Sequence, residues 1–133
     1  MRPQPVRVPT LFPDAPYDYA SVAQEAGLVF TAGACPLDRS GRVAEPGDFE
    51  AQAARSVDNL IETLAAAHSG PELVLKTTLY VVARERADLV RVWNVIADRL
   101  APLRPPSTLL GVPMLGYADQ LVEIEAVALV RAG

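Results

Sequence analysis

Two glutamates of the last predicted strand, 121–130, are the residues best suited to chemistry. Glu123 and Glu125 alternate with apolar residues, so both carboxylates lie on one face of the strand. Burial in a semi-apolar cleft raises the pKa of a carboxyl group, as a general base near neutral pH requires. The alternative to a general base is that Glu123 makes a structural ion pair or hydrogen bond with another copy of the chain. For Glu125 an arginine of a neighbouring chain is the favoured partner.

The single cysteine and single histidine limit the other chemistry that the chain can do. Cys35 has no second cysteine to pair with, and one cysteine with one histidine does not make a zinc site. We therefore predict no metal and no cofactor. A catalytic triad would have to use His68, which follows a predicted helix, where a helix-terminal histidine is the simpler explanation. No basic residue directly adjoins Cys35 to lower its pKa, so a reactive thiol is not expected.

Length and composition exclude several classes of protein. The 133 residues predict a single domain over 1–133. A content of 50% hydrophobic and 21% charged residues excludes a disordered segment. The net charge of −4 disfavours nucleic acid as a partner, because nucleic-acid binders usually carry a basic face. The apolar stretches fall short of the ~18 residues of a membrane span, and no signal core follows the N-terminus. We expect a cytoplasmic protein with no membrane partner.

The chain order of the predicted elements is β-β-α-β-α-β-β. Residues 1–14 are rich in proline and form an extended N-terminal arm. Residues 19–24 and 28–32 form a hairpin, and a helix capped by Asp48 runs to the Ser69-Gly70-Pro71 stop signal. A strand at 73–83, a helix at 87–100 and strands at 107–112 and 121–130 follow.

The last predicted strand leaves one face of the sheet without a cover. One side of this strand is entirely apolar and suits packing under helices, whereas the other carries the two glutamates between apolar residues. Two helices that pack on the same face leave none for the opposite one. Another copy of the chain is the simplest cover, so we predict an oligomer. Trp93 lies on the apolar stripe of the second helix and is expected in the core.

Four short segments resemble the YjgF/Rid family, the reactive intermediate deaminases of the RidA type. They are Ala15-Pro16-Tyr17, Thr31-Ala32-Gly33, Lys76-Thr77-Thr78 and the closing Val122-Glu123-Ile124-Glu125-Ala126. The resemblance spans nearly the whole chain in the family's order and spacing. It implies an α+β fold, a chorismate-mutase-like β-β-α-β-α-β-β two-layer sandwich. It also implies a homotrimer in which the sheets form a central β-barrel with the helices outside.

The same resemblance implies a site between subunits. The best-studied branch of the family hydrolyses 2-imino acids to 2-keto acids and ammonia in such clefts. By resemblance, Tyr17 lines the cleft, and Gly33, Ala34 and Cys35 supply backbone groups. Glu123 would hold or activate the attacking water. The deaminase branch also uses an arginine, shortly after a proline, to clamp the substrate carboxylate through a bidentate pair.

The chain departs from that deaminase pattern at three positions. Ser107 stands where the arginine is expected, and Ala34 replaces a polar residue that often follows the glycine. An asparagine of the second helix corresponds to Trp93, or to Asn94 after a one-residue slip. Ser107 and Thr108 either hydrogen-bond a ligand or satisfy backbone groups after the double proline. Arg104 is a candidate substitute for the arginine, with a solvated loop residue the favoured alternative.

These departures indicate a branch of the family without the deaminase arginine. We interpret the chain as a trimer that binds a small metabolite in clefts between subunits. One function is hydrolysis of an imine or enamine with Glu123 positioning water, weak on ordinary 2-imino acids. The alternative is a non-catalytic ligand-binding or regulatory trimer. RNA cleavage, a label that some family members carry, is disfavoured by the acidic balance and the lack of a histidine pair.

Overall fold

The computed structural model describes residues 2–132 and contains one six-stranded sheet, two α-helices and a short 3-10 helix, Pro71–Leu73. Met1, the first residue of the predicted arm, and Gly133 lie outside the described residues. The strands are β1 Gln4–Val6, β2 Ala20–Ala23, β3 Leu28–Thr31, β4 Val74–Val81, β5 Ser107–Gly111 and β6 Val122–Leu129. The helices are α1 Phe49–Ala66 and α2 Arg86–Leu100. This α+β arrangement confirms the predicted fold class.

The sheet order β1-β2-β3-β6-β4-β5 places the last strand of the chain in the middle. Only β4 and β5 are parallel, and α2 connects them as a crossover. β6 pairs antiparallel with both β3 and β4. The predicted arm contributes β1, which pairs at the sheet edge with β2. Pro5 is tolerated there because an edge strand leaves one row of backbone groups unpaired.

The helix α1 packs on one face of this sheet. Asp48 caps it, since its carboxylate accepts a hydrogen bond from the Ala51 amide at 2.9 Å. The core stripe of α1 is buried at Ala53, Val57, Leu60 and Leu64. The alternate residues of β6 that point toward the helices, Val122, Ile124, Ala126 and Ala128, are buried as well. No helix of the described residues is both long enough and apolar enough to cross a membrane.

The opposite side of the sheet, here called the open face, carries no helix within residues 2–132. Its exposed apolar side chains include Phe30, which is 50% exposed, together with Leu110 and Leu129. Glu125 also lies on this face, where its carboxylate accepts a hydrogen bond from the Tyr80 hydroxyl of the neighbouring strand. Within the chain the partner of Glu125 is therefore a tyrosine. The predicted arginine of a neighbouring subunit stays a prediction.

The prediction that Trp93 packs in the core is wrong. Its side chain is 38% exposed, and the buried stripe of α2 consists of Val92, Ile96 and Leu100. Trp93 follows Val92 directly, so it lies about 100° around the helix from that core residue. It faces a groove beneath the end of α2 instead.

Candidate functional site

A one-residue bulge places the segment after β3 beside Glu123. Phe30 pairs with Val127 and Ala34 with Ile124, so four steps along one strand match three along the other. The Ala34 amide donates to the Ile124 carbonyl at 2.7 Å, and the Ile124 amide donates back at 3.2 Å. This backbone bridge fixes the segment 33–35 against the start of β6.

The carboxylate of Glu123 is held on two sides. Its Oε1 accepts hydrogen bonds from Gln120 Nε2 at 3.1 Å and from the Cys35 thiol at 3.3 Å. Its Oε2 lies over the Gly33 backbone, where an added Cβ at Gly33 would be 1.9 Å away. Only glycine leaves room for the carboxylate in this position. Among the described residues, Oε2 accepts no hydrogen bond and is available to a ligand or a water molecule.

Gln120 is the rigid support of this carboxylate. Its side chain is only 4% exposed, and its Oε1 accepts a hydrogen bond from the Tyr117 amide at 3.1 Å. Its Nε2 also donates to the Val122 carbonyl at 3.0 Å. Both ends of the amide are bound, so its orientation is fixed, and Nε2 must present a proton to Glu123.

A pair of tyrosine hydroxyls adjoins the residues that hold the carboxylate, since Tyr17 lies beside Cys35 and the Tyr117 amide donates to Gln120. The Tyr17 and Tyr117 hydroxyls are 3.0 Å apart and share one hydrogen bond, so one of the two hydroxyls keeps its proton free to donate. The Tyr17 ring packs edge-on against Tyr19 at 5.8 Å between centroids. Burial, followed by the bond to Tyr117, raises the pKa of Tyr17 well above its ordinary value. Its hydroxyl is therefore neutral at physiological pH.

Cys35 is likewise a neutral hydrogen-bond donor. Burial, and then the charge of the Glu123 carboxylate, raises the pKa of Cys35 to about 12. The thiol therefore remains protonated, which agrees with the expectation that it is not a reactive nucleophile. Tyr17, Gly33, Cys35, Tyr117, Gln120 and Glu123 form one group, which we call the Glu123 cluster.

Two amide side chains of α1 hold the segments that build the Glu123 cluster. Asn59 Nδ2 donates to the carbonyls of Cys35 at 2.9 Å and Leu37 at 3.0 Å. Gln52 accepts from the Leu121 amide at 2.7 Å and donates to the Asp119 carbonyl at 3.0 Å. The helix is therefore the scaffold that sets the distance between residues 33–37 and 117–121.

Ser107 and Thr108 lie apart from the Glu123 cluster. They belong to β5, which β4 separates from β6. Ser107 Oγ bonds to the Pro105 carbonyl at 3.0 Å and to the hydroxyl of Thr77. Thr108 accepts from Lys76 Nζ at 3.3 Å. Arg104, Trp93 and Ser107 line one groove of about 510 Å³ beneath α2. A single chain thus presents the predicted site residues as two separate groups.

Four residues of the site were not predicted: Gln52, Asn59, Tyr117 and Gln120. The seven-residue spacing of Gln52 and Asn59 was a usable signal, because it places two amides on the buried face of an amphipathic helix. Tyr117 and Gln120 offered no comparable pattern, since they belong to a loop whose conformation depends on α1.

Comparison with known proteins identifies the family. The model of the endoribonuclease L-PSP family matches residues 11–130. The chain belongs to this family. This finding confirms the resemblance to the YjgF/Rid proteins. The RutC family protein UK114 of Drosophila melanogaster is 33% identical over 118 residues, 88% of this chain and 81% of the relative. A RutC family protein of Pyrococcus horikoshii is 30% identical over 111 residues, 83% of this chain and 85% of the relative.

Solved structures share the L-PSP fold of this chain. The Rid-family protein YyfA of Yersinia pestis superposes with a TM-score of 0.85 at 23% identity, over 97% of this chain and all of that one. TdcF of E. coli, solved with bound serine, has a TM-score of 0.77 at 23% identity, over 96% of this chain and 99% of that one. These matches show that the chain has the family fold along nearly its whole length.

Proposed function

We propose that this L-PSP family member is a homotrimer that hydrolyses a small imine or enamine in the clefts between its subunits. Glu123 Oε2 holds the water that attacks the imine carbon. One observation carries the proposal: Gln120, Cys35 and Gly33 fix the Glu123 carboxylate while leaving Oε2 open. A general base needs this combination of fixed position and free lone pair.

The proposed trimer rests on the open face of the sheet. Phe30, Leu110 and Leu129 expose apolar surface there, and a second copy of the chain would bury it. The site supports the same assembly. Ser107, Thr108 and Arg104 lie on a different strand or loop from the Glu123 cluster. In the proposed trimer one subunit supplies the carboxylate and its neighbour supplies the β5 side of the cleft.

The proposed reaction needs only groups of the chain, water and substrate. The water oxygen bonds to the imine carbon while Oε2 of Glu123 takes one of the water protons. The nitrogen gains one proton from the carboxyl group of Glu123 and a second from the new hydroxyl group. The carbon–nitrogen bond then breaks as the carbon–oxygen double bond forms, which releases ammonia and a carbonyl product. In this proposal the free hydroxyl proton of the Tyr17–Tyr117 pair hydrogen-bonds the polar end of the substrate.

Ser107 argues against ordinary 2-imino acids as the preferred substrates. Its hydroxyl is neutral and already bonded to Thr77 and to the Pro105 carbonyl, so it does not replace a guanidinium clamp. A charge-assisted clamp worth about 2–4 kcal/mol in the transition state corresponds to about thirtyfold to several hundredfold in rate. We expect the wild type to be slower than an arginine-containing deaminase by this factor.

The test of the proposed function is ammonia release from imines generated in situ, with wild-type protein, Glu123→Gln and Ser107→Arg. Sedimentation of each protein reports the trimer. Loss of acceleration in Glu123→Gln with the trimer intact supports the general base. Acceleration that survives Glu123→Gln contradicts it, and a monomeric wild type contradicts the inter-subunit cleft.

The second candidate is a ligand-binding trimer without turnover. The observation that favours it is the relative TdcF, whose structure holds bound serine. Under this alternative no imine is accelerated, and Glu123→Gln still binds the ligand. RNA cleavage, which the family name denotes, is less compatible with a cluster whose charged member is a carboxylate. Intact RNA after long incubation with nuclease-free protein would exclude RNA cleavage.

A further inference from the structure

The charge of the Glu123 cluster is negative. Glu123 supplies a carboxylate, while Gln120, the Cys35 thiol and the Tyr17 hydroxyl are neutral donors. Among the described residues, no lysine, arginine or histidine makes an ion pair or hydrogen bond with Glu123. Any ligand that reaches Oε2 therefore meets a negative charge without a compensating cation from the same chain.

Three of the arginines are bound to other groups or face another surface. Arg39 donates through Nε and Nη2 to the Pro9 carbonyl, at 3.0 and 2.8 Å. Arg131 pairs with Glu72 at 2.5 Å. Arg104 lines the groove beneath α2, on the far side of β4.

We propose that the site selects imines that carry no carboxylate, neutral or protonated on nitrogen, and disfavours 2-imino acids. This inference rests on the proposed function and specifies its substrate class. A ligand carboxylate near Oε2 would place two negative charges within a few ångströms in a partly desolvated site, which is costly. A protonated imine has the opposite sign and is stabilised there. Its carbon is also more electrophilic toward water.

The reaction of such a substrate is balanced without a redox step. The water oxygen bonds to the imine carbon, and Oε2 of Glu123 takes a water proton. Glu123 returns this proton to the nitrogen, and the proton of the new hydroxyl group also passes to the nitrogen as the carbon–oxygen double bond forms and the carbon–nitrogen bond breaks. The nitrogen leaves as ammonia, the product is an aldehyde or ketone, and Glu123 is again a carboxylate. An amine oxidation is one class of reaction that supplies such a substrate, because it produces an imine without a carboxylate.

The first experiment compares two imines that differ only in the carboxylate. A flavin-dependent amine oxidase acting on 2-phenylethylamine generates one, and a flavin-dependent amino-acid oxidase acting on phenylalanine generates the other. Catalase removes the peroxide in both assays. We expect wild-type kcat/KM to favour the imine without the carboxylate by on the order of tenfold or more. An equal or better rate with the 2-imino acid overturns the inference while leaving the proposed hydrolysis standing.

A binding series keeps the inference testable even if nothing is hydrolysed. Calorimetry measures the affinities of the wild type and of Glu123→Gln for three ligands. These are 2-phenylethylamine, phenylacetamide and phenylacetate, which are cationic, neutral and anionic, respectively. We expect the cation to bind at least about tenfold more tightly than the anion, and the preference to disappear in Glu123→Gln. Glu25→Gln makes the same charge change in the hairpin turn and should retain the preference. If the preference holds while neither imine is accelerated, hydrolysis fails but charge selection stands.

A role for Arg104 in the cleft is the result that would contradict the inference. If the neighbouring subunit brings its guanidinium to the cleft, phenylacetate binds as tightly as 2-phenylethylamine and Arg104→Ala abolishes that binding. This result would overturn the inference and assign the cation of the site to Arg104.

Discussion

Gln52 and Asn59 lie seven residues apart on the buried face of α1, and each holds one of the two segments that form the Glu123 cluster. Asn59 binds the carbonyls of Cys35 and Leu37, whereas Gln52 binds the backbone of Asp119 and Leu121. Neither amide is part of the cluster itself. The separation of the two amides, about two helical turns, therefore helps to set the distance between Gly33 and Glu123.

Replacing Asn59 by leucine should destabilise the protein by about 1–3 kcal/mol. The substitution keeps the side-chain size but leaves two carbonyls, of Cys35 and Leu37, without their donor in a buried region. Urea unfolding measures the change. Because the segment 33–37 loses its anchor, imine hydrolysis and ligand binding should fall as well. An unchanged unfolding free energy would show that water satisfies both carbonyls equally well.

Ser56 offers the opposite prediction on the same helix. It is 0% exposed, and its hydroxyl has no hydrogen-bond partner among the described residues. Ser56→Ala removes that unsatisfied group and substitutes a better helix former, so we expect stabilisation of about 0.5–1 kcal/mol. The same urea experiment measures it, with the Asn59 variant as the contrast. Destabilisation beyond about 1 kcal/mol would reveal a partner of the Ser56 hydroxyl.

The sequence predicted the elements better than it predicted the site. Strand alternation around Glu123 and the 3,4 spacing of α1 identified both elements, because each has one buried face. The prediction for Trp93 was wrong because Trp93 is apolar and lies beside the apolar stripe of α2 but not within it. Val92, Ile96 and Leu100 form the part of that stripe that fills the core. Gln120 was missed because its role requires a long-range contact between Gln52 and the 117–121 loop. No local pattern reports such a contact.

Gly33→Ala should abolish function at a moderate cost in stability. An alanine Cβ would lie 1.9 Å from Oε2 and 2.7 Å from Cγ of Glu123, so the whole glutamate side chain must turn away and leave Gln120 and Cys35. We therefore expect a folded protein whose unfolding free energy is lower by about 1–2 kcal/mol. Hydrolysis and cation binding should fall to the level of Glu123→Gln, since the carboxylate no longer occupies its place.

Gly116→Ala is the matched control for this substitution. An added Cβ at Gly116 meets nothing within 4 Å, although the residue adjoins Tyr117. This variant should keep wild-type stability, hydrolysis and binding. If Gly33→Ala also retained full function, the position of the Glu123 carboxylate over Gly33 would be irrelevant to the site.

The Cys35 thiol should report the charge of Glu123 through its pH dependence. Burial, and then the Glu123 carboxylate, raises the pKa of Cys35 to about 12, so alkylation by iodoacetamide should accelerate only well above pH 9. Glu123→Gln removes the neighbouring charge, and we expect the midpoint of the rate–pH curve to move down. The midpoint of the curve reports the acidity of the thiol, whereas the absolute rate also depends on how easily iodoacetamide reaches it, so the midpoints are compared. Glu25→Gln should leave the midpoint in place.

The same raised pKa makes the protein less stable in alkali. The folded state holds the Cys35 proton more tightly than the unfolded chain, whose thiol ionises near pH 9. The stabilisation is therefore complete below about pH 9 and is lost as the pH rises toward 12. Tyr19 and Tyr80, each with a pKa raised to about 12, add losses of the same sign above pH 10. The midpoint of urea unfolding should fall steadily across this pH range in the wild type and less steeply in Glu123→Gln. A wild-type midpoint that does not change with pH would contradict the buried, protonated thiol.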